Sequence, residues 1–145
     1  GGIVANEIAK HCKPEKIILI SSVSNYNSIP WMYRFVGKTI ILNHVPSVFF
    51  NPPRLLAYLL FGAKNTVLLN SILVDTDLKF TKWCVLQLTT WKGSNEGMSI
   101  IQTHGTKDRL MPMKTTNKST LIEGGGPFMI VDKAKEISAV INQNT

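Results

Sequence analysis

The run of apolar residues Ile17–Ile20 constrains the fold more than any other feature of this sequence. A short, uninterrupted run of mostly β-branched residues is typical of a strand that is buried on both faces of a parallel sheet. Residues 3–12, just before it, place apolar side chains at helical spacing, and Pro14 ends that pattern. A helix followed by a buried strand is half of a βαβ unit. The sequence therefore predicts an α/β fold with a mostly parallel sheet.

The 145 residues are interpreted as one domain with three segments. Residues 1–22 carry the predicted helix and strand. Residues 23–75 are rich in aromatic residues and prolines, which indicates a small helical insertion that resembles a cap. Residues 76–145 return to alternating helices and strands, so we expect them to complete the sheet and its flanking helices.

Local signals give the elements of the last segment. Asp75-Thr76-Asp77 supplies an N-cap for a long helix that we expect to end near Gly93. Short apolar runs predict strands over residues 98–102 and 120–122, and each strand leads into a loop that contains glycine. A last amphipathic helix is predicted to begin near Asp132.

Charge and hydropathy bear on the possible partners. The formal net charge is +7, but the basic residues are spread along the chain rather than clustered, so we expect no nucleic-acid partner. The apolar runs fall short of the roughly 18 residues of a membrane span, so no span is expected. Cys12 and Cys84 have no metal-ligand spacing and are too few for a disulfide scaffold, which favours a reducing, cytoplasmic setting.

Three segments carry the possible chemistry. The first, Ile101–Pro112, is a strand and loop that deliver Asp108 just beyond the end of the strand, where open α/β sheets place their ligands. The second, Leu121–Ile130, is a strand followed by Gly124-Gly125-Gly126 and Pro127. The third, Gly1–Ala9, opens a helix with two glycines.

Together, and in this order, the three segments resemble the C-terminal portion of an α/β-hydrolase of the serine hydrolase type. The resemblance implies that Asp108 is the acid that orients a catalytic histidine, and that Gly1 closes the nucleophile motif G-x-S-x-G. By this resemblance the serine and its oxyanion hole lie before residue 1, so we expect a chain that lacks its natural beginning. The activity implied for a complete relative is hydrolysis of ester or other acyl bonds, with no cofactor and no metal.

The resemblance also implies that this chain is inactive. The family keeps its catalytic histidine directly after the glycines, where this sequence has Pro127. A proline ring has no nitrogen that can accept a proton, so it cannot act as the general base. Pro127 is then no more than a rigid turn residue, and Asp108 alone remains of the three catalytic residues. For Asp108, a turn-capping role through a local backbone hydrogen bond is the structural alternative.

Other residues of interest have simpler explanations. Ser21 and Ser22 follow a strand, but without a histidine to activate them we expect them to hydrogen-bond the backbone of a turn. His104 is expected to contact nearby backbone rather than to act as a base. Trp83 and Trp91 lie eight residues apart on one helix face and are expected in the core.

Three further hypotheses remain open. The chain is alternatively a non-catalytic pseudohydrolase that binds a small hydrophobic ligand. The segment from Val23 to Asp75 has a net charge of +3, from Arg34, Lys38, Arg54 and Lys64 against Asp75, so its aromatic surface could associate with lipid. If the sheet is incomplete, strand Ile17–Ile20 exposes an unpaired apolar edge, which predicts self-association and marginal stability.

Overall fold

The computed structural model describes residues 1–62, 64–93, 97–112 and 119–144. Short 3₁₀ helices occupy Tyr26–Ser28 and Ser47–Phe50. The strands are β1 (Ile17–Ile20), β2 (Ile100–Gly105) and β3 (Ser119–Ile122). The α-helices are α1 (Gly2–Cys12), α2 (Trp31–Gly37), α3 (Ile41–His44), α4 (Arg54–Phe61), α5 (Thr66–Asp75), α6 (Leu78–Thr90), α7 (Met129–Asp132) and α8 (Ala134–Asn144).

The strands form a parallel sheet in the order β1-β2-β3, which confirms the predicted α/β class. Ile17 is paired with Ile100, and His104 is paired with Leu121. Because all strands run the same way, their carboxyl ends meet at one edge of the sheet. Within the described ranges β1 pairs with β2 alone, so β1 is an edge strand.

Helices cover both faces of the sheet. Successive side chains of a strand point to opposite sides, so β1 contributes to an apolar cluster on each face. Ile17 and Leu19 of β1 pack against Ala9 of α1 in one apolar cluster. Ile20, one residue further along, packs against a second cluster that also contains Ile122 of β3. The remaining members of that cluster come from α7 and α8: Met129, Ile137, Val140 and Ile141. The architecture is therefore three-layered, with α1 on one face and α7 and α8 on the other.

The insertion over residues 23–75 is helical, as predicted, and consists of short helices rather than one long one. It contacts the rest of the domain through α6, since both α2 and the 3₁₀ helix Ser47–Phe50 pack on that helix. Gly37 of α2 lies so close to Thr89 that a Cβ atom there would collide with the Thr89 backbone. This close approach fixes one side of α2 against α6.

Four predicted elements have boundaries that differ from the observed ones. Helix α6 begins at the predicted cap, with Asp77 accepting from Phe80 N at 2.9 Å, but it ends at Thr90 because the backbone at Trp91 is extended. Strand β2 runs two residues later than predicted at its start and three at its end, because His104 and Gly105 pair with β3. Strand β3 begins one residue earlier than predicted, at Ser119.

The fourth difference concerns the C-terminal helix. Helical backbone begins at Met129, three residues before the predicted start near Asp132, and it is interrupted at Lys133, which has φ −130° and ψ 31° and separates α7 from α8. Lys133 nevertheless donates its N–H to the Met129 carbonyl at 2.8 Å. The two helices are thus joined by a single residue and pack on the same face of the sheet.

No single helix among the described residues is long and apolar enough to cross a bilayer, although α4 and α5, bent by 119° relative to each other, pass that test as a pair.

Candidate functional site

Asp108 lies at the carboxyl edge of the sheet, three residues after β2 ends. Its side chain is only 6% exposed. One carboxylate oxygen, Oδ1, accepts hydrogen bonds from the backbone N–H groups of Leu110 at 3.0 Å and Met111 at 2.9 Å. The other oxygen, Oδ2, is buried and has no hydrogen-bond partner among the described residues. One carboxylate oxygen therefore stabilises the Asp108 loop by accepting backbone hydrogen bonds, while the other accepts none from the described residues.

The loop that carries Asp108 is bonded to the loop that carries Pro127. Lys107 N donates to the Gly125 carbonyl at 2.8 Å, and Thr106 N donates to the Ile122 carbonyl at 3.1 Å. In the opposite direction, Gly124 N donates to Thr106 Oγ1 at 2.9 Å. Gly124 has φ 68°, a left-handed conformation that glycine adopts without strain. These bonds hold the two loops in one fixed arrangement.

Asp108 and Pro127 line the same cavity, which has a volume of about 540 Å³. That volume lies within the range of small-molecule sites, about 300–1,000 Å³. Helix α4 of the insertion contributes the opposite wall through Tyr58, Leu59 and Leu60. The remaining lining residues are Gly62, Thr106, Lys107, Arg109, Gly124 and Gly126. The sequence-predicted acid and the predicted base position thus meet at one cavity between the insertion and the sheet edge.

His104, at the end of β2, is buried beside this site and acts as a structural contact. Its Nε2 lies 3.0 Å from the Ser22 carbonyl oxygen. Since a carbonyl only accepts, Nε2 carries the proton and donates it. Burial lowers the pKa of His104, and the Ser22 carbonyl and the charge of Asp108 oppose that effect. The expected contact with backbone is confirmed, and His104 does not reach a serine hydroxyl by any described hydrogen bond.

Tyr33 of α2 belongs to the site, although no sequence pattern pointed to it. Its hydroxyl donates to the Leu110 carbonyl at 3.0 Å, which ties the insertion to the loop of Asp108. Burial raises the pKa of Tyr33, and the negative charge of Asp108 raises it further. Tyr33 is therefore a neutral hydrogen-bond donor at neutral pH.

A second cavity, of about 490 Å³, is lined in part by Met111 of the Asp108 loop. Its wall includes the first turn of α1, Ser21, Ser22 and Trp83. Ser21 has φ 45°, and its buried hydroxyl has no partner in the described part of the chain, so the predicted turn hydrogen bond is wrong for Ser21. The described hydrogen bonds of the histidine rings go to the backbone carbonyls of Ile40 and Ser22 rather than to either serine hydroxyl.

Trp83 of α6 and Trp91, which directly follows α6, do not share one role. Trp83 is 51% exposed and stacks on Phe80, with ring centroids 5.7 Å apart, so its predicted place in the core is wrong. Trp91 is half-buried, and its Nε1 donates to Glu7 Oε1 at 2.7 Å. Hydrogen bonds from Lys10 and Trp91 lower the pKa of Glu7. Trp91 therefore joins the end of α6 to α1.

Within the described ranges, no three His, Cys, Asp or Glu side chains converge in a way that could hold a metal ion. No family model matches this sequence, and no curated protein does so either. The arrangement at Asp108 is therefore interpreted from its geometry alone: a buried carboxylate at the carboxyl edge of a parallel sheet, in the lining of a partly open cavity.

Proposed function

We propose that this chain is the C-terminal portion of an α/β-hydrolase, with Asp108 as the acid of the triad and Pro127 at the position of the base. The observation that carries the proposal is the shared cavity of these two residues, together with a buried Asp108 Oδ2 that has no hydrogen-bond partner among the described residues. In a complete relative an imidazole in that cavity would donate to Oδ2 and activate a serine. The insertion over residues 23–75 is proposed as the cap above the substrate.

The proposed family activity is hydrolysis of small esters or other acyl compounds, and this chain is proposed to be inactive. These 145 residues contain no G-x-S-x-G motif. Pro127 has no nitrogen that can accept the proton of a nucleophile. In the proposed triad Asp108 only orients the histidine, so this chain lacks the serine nucleophile and the histidine base on which that mechanism depends.

Replacing Pro127 by histidine tests the assignment of both positions. The imidazole introduced by Pro127→His is expected to lie close to the Asp108 carboxylate. The negative charge of the carboxylate favours the charged form of the ring. Its pKa, followed by NMR titration, should exceed that of the same imidazole in the double variant Pro127→His with Asp108→Asn by about 1 to 2 units. Circular dichroism would establish that both variants fold. Equal pKa values in the two variants would contradict the proposed pairing.

A fluorophosphonate probe tests the proposed inactivity, because it forms an adduct only with an activated serine. Intact mass analysis should show no adduct on the 145-residue chain. A known serine esterase, labelled in the same tube, is the positive control. An adduct that maps to Ser21 or Ser22 would overturn the proposal, since it would reveal a base near the second cavity.

The second candidate function is a non-catalytic pseudohydrolase that binds a small hydrophobic ligand. The lining of the cavity shared by Asp108 and Pro127 combines the acidic Asp108 with the apolar Leu59 and Leu60, which favours a ligand with a hydroxyl donor and a short alkyl chain. 1-Hexanol is a suitable probe. Intermolecular NOEs from its alkyl protons to the ring of Tyr58 are expected if this candidate is correct. Their absence at saturating hexanol would eliminate this candidate and leave the inactive-hydrolase proposal standing.

A further inference from the structure

One face of α2 and the residues that follow it form a continuous exposed apolar surface. Trp31 is 69% exposed and Phe35 is 64% exposed. These two residues are four apart, so they lie on the same side of the helix. The surface, called here the apolar stripe, consists of Trp31, Met32, Phe35, Val36, Ile40 and Ile41, all of which are exposed.

The opposite side of α2 is anchored to the domain. Tyr33 bonds the loop of Asp108 through Leu110, and Gly37 lies directly on the backbone of Thr89. The guanidinium of Arg34 lies over the Tyr26 ring, 5.1 Å from its centroid. The apolar stripe is therefore the outward side of a helix whose inward side is already packed.

In the sequence on either side of the apolar stripe, the charged residues are all basic. No Asp or Glu occurs between Glu15 and Asp75, whereas Arg34, Lys38 and others are basic. Lys38 is exposed within the stripe itself, between Phe35 and Ile40. An apolar surface that contains tryptophan and is flanked along the sequence only by positive charge is complementary to an anionic lipid surface. Indole rings occupy the interface of such a surface, and each basic residue strengthens binding about fivefold.

We propose that the apolar stripe docks on the surface of a bilayer that contains anionic phospholipid. Charge argues for lipid over a second copy of this chain, because two copies that meet through the stripe would bring like charges together. Each copy also carries a formal net charge of +7, which opposes their association. The helix would lie in the interfacial plane, with Trp31 and Phe35 among the headgroups and Lys38 near lipid phosphates.

Co-sedimentation of the 145-residue chain with vesicles tests the proposal. We expect binding to vesicles of phosphatidylcholine with phosphatidylglycerol and much weaker binding to phosphatidylcholine alone. The double variant Trp31→Ser with Phe35→Ser should lose binding. Its matched control is Phe80→Ser with Trp83→Ser, which removes another exposed aromatic pair, with exposures of 61% and 51%, from α6 and should bind like the original chain.

The charge contribution has its own matched pair. Lys38→Glu should weaken binding to anionic vesicles at least tenfold, whereas Lys135→Glu makes the same charge change on exposed α8 and should leave binding unchanged within about twofold. Equal binding to neutral and anionic vesicles, equal loss in both members of a pair, or no binding would overturn the proposal. So would a dimer in sedimentation velocity that Trp31→Ser with Phe35→Ser abolishes without any vesicle binding.

Discussion

The close approach of Gly105 to Gly125 makes the arrangement of the two site loops sensitive to a single methyl group. A Cβ atom on Gly105 would lie 2.8 Å from the Gly125 Cα and closer still to its carbonyl group. Carbon atoms normally approach to about 3.5–4.0 Å, so Gly105→Ala must push the loops apart by about 1 Å. Overpacking of this kind costs about 1–3 kcal/mol. Displacement also weakens the hydrogen bond from Lys107 N to the Gly125 carbonyl, which contributes about 1 kcal/mol.

We therefore expect Gly105→Ala to lower the free energy of unfolding by about 2–4 kcal/mol in urea denaturation followed by circular dichroism. Gly124→Ala is the matched control in the partner loop. It has open space around its Cα, so only its left-handed backbone, φ 68°, opposes a side chain, and it should lose about 1 kcal/mol. If Gly105→Ala were no more destabilising than Gly124→Ala, the two loops would not be held in contact and the shared cavity would be in doubt.

Two further predictions concern the same edge of the sheet. Asp108→Ala should lower stability by about 1–3 kcal/mol in urea denaturation because it leaves the N–H groups of Leu110 and Met111 without an acceptor, whereas Asp108→Asn keeps one side-chain oxygen and should lose much less. Burial lowers the pKa of His104 in the folded state below its unfolded value of about 6.5, because the buried ring resists taking up a proton. The stability that depends on the neutral ring is therefore full above about pH 6.5 and is lost as the pH falls below that value. Urea midpoints between pH 7.5 and 5.5 should fall, and they should fall less in His104→Gln; an equal fall in both would contradict this prediction.

Much of the fold could be predicted because the patterns are local. Ile17–Ile20 is a strand as predicted, and Asp77 begins α6 as its N-cap residue. The end of β2 could not be placed, because His104 and Gly105 are strand residues only through their pairing with β3. The division at Lys133 was missed for a related reason, since the amphipathic pattern continues across it while the backbone turns to keep both helices on the sheet.

The site was predictable to the extent that it depends on the sheet. Asp108 and Pro127 each follow a parallel strand, and neighbouring strands bring such residues to one edge. Tyr33 and Tyr58 could not be predicted, because their place in the site depends on how the insertion folds back over the loops. Trp83 was misassigned because aromatic residues at helical spacing indicate one face of a helix without indicating what covers that face.

The two interpretations of Asp108 given by the sequence, a turn cap and a catalytic acid, are compatible in the folded chain. Oδ1 accepts from two backbone N–H groups and fixes the carboxylate in place, while Oδ2 remains buried without a described partner. A carboxylate that must orient an imidazole needs both properties, since an unrestrained side chain would rotate away from its partner. A carboxylate that served only as a cap would gain nothing from burying its second oxygen, because burial without a hydrogen bond is unfavourable. The two carboxylate oxygens thus differ in a way that fits the proposed role of Asp108 as the acid of a triad, since one is fixed by backbone N–H groups and the other has no partner among the described residues.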